Sequence, residues 1–178
     1  MKGKIVLVAV FFALFADFAG CIFGPAKFKG VIGYRPDGRV FIQHDRYYRV
    51  GVLPSGWQAM KTKARAISFY NSDYKSSIST DAFCGRDVTD RKLETLGGEM
   101  ITALEGRSVL YEKNFDLDGR GAVRQKLTGS LDGVSVVVDL VVVRKNGCVF
   151  DFYAVMPPNN AANTGDDFEN FFGAFHYE

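Results

Sequence analysis

The sequence predicts an α+β fold, an antiparallel meander sheet covered by helices in a layered sandwich. Three observations carry that expectation. Four strand-like runs follow one another across 107–156, separated by connections that hold Asp-Gly or Asn-Gly pairs, which tolerate the left-handed dihedrals of two-residue hairpins. Between Thr89 and Glu105 the apolar period changes, and Leu93, Leu96, Met100, Ile101 and Leu104 fall on one face of a helix. A closing stretch repeats helical spacing with Phe168, Phe171, Phe172 and Phe175, a stripe that reads as core.

The first 21 residues read MKGKIVLVAVFFALFADFAGC, with Lys2 and Lys4 ahead of twelve uninterrupted apolar residues from Ile5 to Ala16. As a helix that run spans roughly 18 Å against a hydrocarbon core of ~30 Å, so it targets rather than spans. It ends in Phe18-Ala19-Gly20-Cys21, which resembles the bacterial lipobox, with Phe18 where Leu is usual and Asp17 interrupting the approach. The resemblance implies a bacterial lipoprotein. The signal peptide over 1–20 is cut before Cys21, whose thiol carries diacylglyceryl and whose new amine is acylated with a palmitate-type chain. Chains of that size bury enough methylenes, at ~0.8 kcal/mol each, to hold the protein on a membrane. Residue 22 is Ile rather than Asp, which points to the outer membrane and a periplasm-facing body. The alternatives are an ordinary secretory signal cut elsewhere and a buried apolar segment.

Residues 21–46 read as a tether with a hairpin, because Arg35-Pro36-Asp37-Gly38-Arg39 lies between two largely apolar stretches and Pro followed by Asp-Gly is turn chemistry. The domain proper is expected over 47–178. Its strands are Tyr47 to Val52, Ala64 to Tyr70 and Ser76 to Phe83, then the helix with Thr89 as N-cap and Gly106 as stop. Gly97 and Gly98 inside that helix cost ~1 kcal/mol each relative to Ala, a cost that close packing on a sheet justifies. The meander follows as Arg107 to Phe115, Ala122 to Leu131, Val134 to Arg144 and Cys148 to Met156.

Tyr48-Arg49-Val50 leading to Leu53-Pro54-Ser55-Gly56-Trp57, the order of strands, helix, meander and closing helix, and the terminal Phe-x-x-Phe-Phe-x-x-Phe together resemble the PsbP-like fold over about residues 46 to 176. That group includes extrinsic proteins of photosystem II and bacterial lipoproteins. No PsbP residue set for manganese, calcium or photosystem contact stands in this sequence, so the resemblance implies a fold and not a photosynthetic role.

Candidate chemistry is sparse. With Cys21 taken by the anchor, Cys84 and Cys148 either pair as a disulfide, as an oxidising envelope favours, or remain two buried thiols. His44 and His176 have no His-x-x-x-His or Cys-x-x-Cys spacing around them, so no metal is expected. Asp116-x-Asp118-Gly119 imitates the start of a calcium loop but lacks its later ligands, and a hairpin connection accounts for it. Asp166, Asp167 and Glu169 read as helix-start charges. Two acids sit inside apolar strands: Asp139, expected in an exposed cross-strand bridge to Arg124 or Lys126, and Asp151 between Phe150 and Phe152.

The 22 basic and 20 acidic residues leave a formal charge of +2, too small an excess for a phosphate-tracking surface, so nucleic acid is excluded as a partner. No catalytic set and no cofactor are expected. The expected function is that of a lipid-anchored, non-enzymatic module binding a protein partner or assisting an envelope complex. The alternatives are a carrier holding a small apolar or lipid ligand between sheet and helices, and an enzyme built on Cys84, Cys148 or a converging Asp pair.

Overall fold

A computed structural model of the chain describes residues 30–60, 66–85 and 91–178. Cys21, the signal peptide, the Gly-Pro part of the tether and the Thr89 N-cap lie outside the described residues. Strands β1 (Gly33–Tyr34), β2 (Arg39–Phe41) and β3 (Tyr47–Arg49) form a small antiparallel sheet. A second sheet takes β4 (Trp57–Met60), β5 (Ile67–Asn71), β6 (Ser76–Cys84), β7 (Glu105–Leu117), β8 (Arg120–Leu131), β9 (Val134–Lys145) and β10 (Cys148–Met156) in the order β4-β5-β6-β10-β9-β8-β7. Helix α1 (Leu93–Met100) precedes β7, and a 3₁₀ turn (Pro158–Asn160) leads into helix α2 (Ala161–Gly173).

Every pairing in the large sheet is antiparallel. The meander β7 to β10 turns on Asp118-Gly119, Asp132-Gly133 and Asn146-Gly147, whose φ values of 54° and 70°, 50° and 80°, and 50° and 76° are those of type I′ turns. Both faces of the sheet are covered at its centre. On one face Phe150 and Phe152 meet Tyr48 of β3, the α2 residues Phe168, Phe171 and Phe172, and Phe175 just beyond the end of the helix, all buried. The Tyr48 ring packs 5.0 Å from Phe150, and its hydroxyl hydrogen-bonds Thr80 Oγ1 at 2.8 Å. The hairpin of β1 and β2 is built into this core through Val31, Val40 and Ile42.

On the opposite face Leu96, Ile101 and Leu104 cover Leu127, Val138, Leu140 and Val142. A Cβ on Gly97 would lie 2.9 Å from Gln125 Oε1 and 3.1 Å from Leu140 Cδ2, so the missing side chain lets α1 approach the sheet. Nothing stands within 4 Å of a Cβ at Gly98, and packing does not explain that residue.

Two expectations are corrected here. Asp139 is fully buried rather than exposed, because α2 covers the strand face that carries it. Arg124 Nε and Nη2 each donate to its carboxylate at 2.9 Å, Lys126 Nζ stands 3.6 Å away, and Arg124 Nη1 reaches Glu169 on α2 at 3.1 Å. The acids at 166–169 are not helix-start charges, since α2 begins at Ala161. Asp167 accepts Trp57 Nε1 at 2.8 Å and Glu169 meets Arg124, so they fasten the helix to the sheets.

Removing one partner of a buried ion pair leaves the other uncompensated. Asp139→Ala should therefore lower unfolding free energy by ~3–5 kcal/mol in urea denaturation, and the double variant Arg124→Met/Asp139→Leu should recover most of it. Equal losses in the single and double variants would contradict the buried bridge.

Candidate functional site

The α1 face of the sheet holds a cavity of about 310 Å³. Ile101, Ala103 and Leu104 form its wall, Leu131, Val138 and Leu140 of β8 and β9 its floor, and Tyr153 and Val155 of β10 its far side. The lining is aliphatic apart from the Tyr153 phenol, which hydrogen-bonds Ser79; Ser79 Oγ in turn donates to Ser68 Oγ at 2.9 Å. A row of hydroxyls thus runs from the cavity edge across β10, β6 and β5, toward Tyr70 and Met60, which are 40% and 48% exposed.

One rung further along β10 the same face carries a carboxyl pair. Asp151 and Asp81 are direct register partners, which brings cross-strand Cβ atoms to about 4.5–5.5 Å. Asp81 is half-buried and accepts the Ala82 N–H at 2.7 Å and the Val31 N–H. Asp151 is buried, and its Oδ1 has no hydrogen-bond partner. Burial pushes the Asp81 carboxyl up to about 6; burial and then the Asp81 charge push Asp151 up to about 7. Burial and the same two charges raise the Tyr153 phenol.

The other polar clusters hold the fold. Burial alone would raise Asp118, but Lys145 Nζ at 2.5 Å, the Tyr177 N–H at 2.9 Å and His176 Nδ1 at 2.9 Å outweigh it and hold the carboxyl at about 2. The residue that imitates a calcium loop is therefore saturated by donors of the chain itself. Its main effect on His176 is to raise that imidazole. Cys84 and Cys148 face each other in register at the ends of β6 and β10 and are joined by a disulfide across 64 residues. His44 is exposed and far in sequence from either sulfur's strand. No group of three metal-ligating side chains occurs among the described residues, and no helix among them is long and apolar enough to cross a membrane.

Asp81 is the member of this site that sequence reading missed. Its signal was the alternation Ser77, Ser79, Asp81 against Ile78, Thr80, Ala82, which places the acid on the polar side of β6. The pairing of β6 with β10, which sets Asp81 against Asp151, carries no local mark.

No family model matches the chain, and no curated protein matches it in sequence. Solved structures do. The cyanobacterial PsbP protein CyanoP from Synechocystis sp. PCC 6803 superposes with a TM-score of 0.57 at 13% identity, over 90% of this chain and 99% of CyanoP. The fold is PsbP-like. LpqN of Mycobacterium tuberculosis, described as involved in cell envelope biogenesis, superposes at 0.56 with 12% identity over 84% of this chain and 90% of its own. A Bacteroides thetaiotaomicron protein gives 0.54 at 13% identity, over 74% of this chain and 45% of that one. These likenesses extend the PsbP-like sandwich to proteins of unlike sequence.

The carboxyl pair makes stability depend on pH with a defined sign. Both groups bind protons more tightly in the folded protein than in the unfolded chain, so the fold is favoured below the ordinary Asp range, near ~4, and loses stability as pH rises through about 6 and about 7. Asp151→Asn should raise unfolding free energy at pH 8 by a few kcal/mol, ~4 at most, and change it little at pH 4. A thermal-denaturation series across that range reads the difference.

Proposed function

We propose that this protein is a non-enzymatic module of the cell envelope, lipid-anchored through Cys21 on the periplasmic side of the outer membrane, that binds a protein partner or assists an envelope complex. The observation that carries the partner reading is β7. It is an edge strand of 13 residues whose outer backbone groups pair with no described strand, and it exposes Val109 and Leu110 at 59% and 55%. An edge of this kind is a template for an added strand. Its register shifts at 105/108 and 109/111 twist the ladder locally and limit indiscriminate pairing. The Cys84–Cys148 disulfide suits an oxidising compartment, as does likeness in fold to a protein of mycobacterial envelope biogenesis.

A second reading has its own observation. The cavity beside α1 supports a carrier for a small apolar or lipid ligand, since its size and aliphatic lining are those of a modest ligand site.

Two substitutions separate anchoring from partner binding. Cys21→Ala should move the protein from the membrane to the soluble fraction with an unchanged melting temperature. Leu110→Lys should leave it on the membrane, change stability by no more than ~0.5 kcal/mol, and abolish the stoichiometric partner that wild type recovers by crosslinking in native envelopes. Equal recovery by wild type and Leu110→Lys would remove β7 from the interface.

A further inference from the structure

Three features of the α1 face belong together. The cavity of about 310 Å³ equals the volume of roughly ten water molecules at ~30 Å³ each. That is room for one alkyl chain of medium length. Its polar margin is Tyr153, hydrogen-bonded to Ser79. One rung away, about 7 Å along the strand, Asp81 and Asp151 stand as register partners on the same face.

Among the described residues neither carboxyl makes an ion pair with a lysine, arginine or histidine. Arg144, the basic side chain on the same face of β9, donates instead to the Arg91 carbonyl. Asp151 is 4% exposed, and its Oδ1 has no partner. Two acids set against each other without a cation oppose folding, because each disfavours ionisation of the other. An unmatched buried acceptor adds a further cost. A ligand that brought an ammonium group would supply the missing charge and N–H donors together.

We propose that the cavity and the Asp81–Asp151 pair form one binding site for a single-chain amphiphile with a primary amine head. The alkyl tail fills the space between the sheet and the turn that follows α1, where Ile101, Ala103 and Leu104 stand. The ammonium passes the Tyr153 hydroxyl and meets Asp81, whose half-buried carboxyl is the accessible one, with Asp151 behind it. This inference rests on the carrier reading and adds to it the sign of the head group. It separates the ligand from fatty acids, which would place a third carboxylate beside the pair.

The test is calorimetric titration of the full-length protein in phosphatidylcholine nanodiscs, with empty nanodiscs as the blank, using n-octylamine, n-octanol and octanoate as probes of equal tail length. Octylamine should bind at least ten times more tightly than octanol, and octanoate should bind more weakly than either. Asp81→Asn should reduce octylamine to the level of octanol while octanol itself is unchanged. Asp151→Asn should weaken octylamine as well and leave octanol unchanged. Ala103→Trp, at an exposed position on the cavity wall, should abolish binding of both. Equal affinity for the amine and the alcohol, or an amine preference that survives Asp81→Asn, overturns the charged site and leaves the carrier reading standing. Failure of wild type to bind any of the three overturns both.

Discussion

The two central strands, β9 and β10, are covered on both sides, and the rest of the structure follows from that constraint. In a strand the side chains alternate between faces, so the residues of β9 from Val136 to Val143 and those of β10 from Cys148 to Phe152 each enter one of two cores. Val137, Val141 and Val143 of β9 go beneath α2 with Phe150 and Phe152 of β10, while Val136, Val138, Leu140 and Val142 go beneath α1 with Val149. A charge placed within those buried stretches has no solvent-facing position to occupy.

The chain meets this constraint in two different ways. Asp139 falls beneath α2, where Arg124 offers two nitrogens in a fork and is itself tied to the helix through Glu169. Arg124 also lies 5.1 Å over the Phe172 ring, so the fold-holding pair is compensated from several sides. Asp151 falls beneath the other layer, against a second acid, with one oxygen unmatched. The first arrangement is what a protein uses to fix a helix in place. The second opposes folding, and such departures concentrate where a molecule does something besides fold.

What the sequence made legible divides along the same line. The meander was readable because Asp-Gly and Asn-Gly pairs are chemical marks of tight turns, and the Phe stripe because helical spacing needs no partner to be recognised. Period-two alternation also put Asp139 among valines correctly. The error about its exposure came from treating the meander as a sheet with one wet face, when α2 lies across it. The helical acids were misplaced because α2 starts five residues before Asp166, in an Ala-Ala-Asn-Thr stretch with no side-chain cap to announce it. Trp57 marks the start of β4, a short edge strand of four residues with too few positions for a period to show. Which strand stands beside which over long separations, such as β6 beside β10, is a property of the assembled sheet.

The tight turns of the meander bear on how this body comes into being. Strands β7 to β10 are joined to their spatial neighbours by connections of two residues, so this half can zip up at little loop-closure entropy. The edge of β10 that receives β6 exists only after that zipping, and β6 must return across more than sixty residues to reach it. The late step in assembly is thus the arrival of the N-terminal strands, and the sulfurs of Cys84 and Cys148 come within bonding reach only once it has happened. Oxidation before then would trap other partners. A chain emerging N-terminus first must therefore keep Cys84 reduced until its last third has appeared.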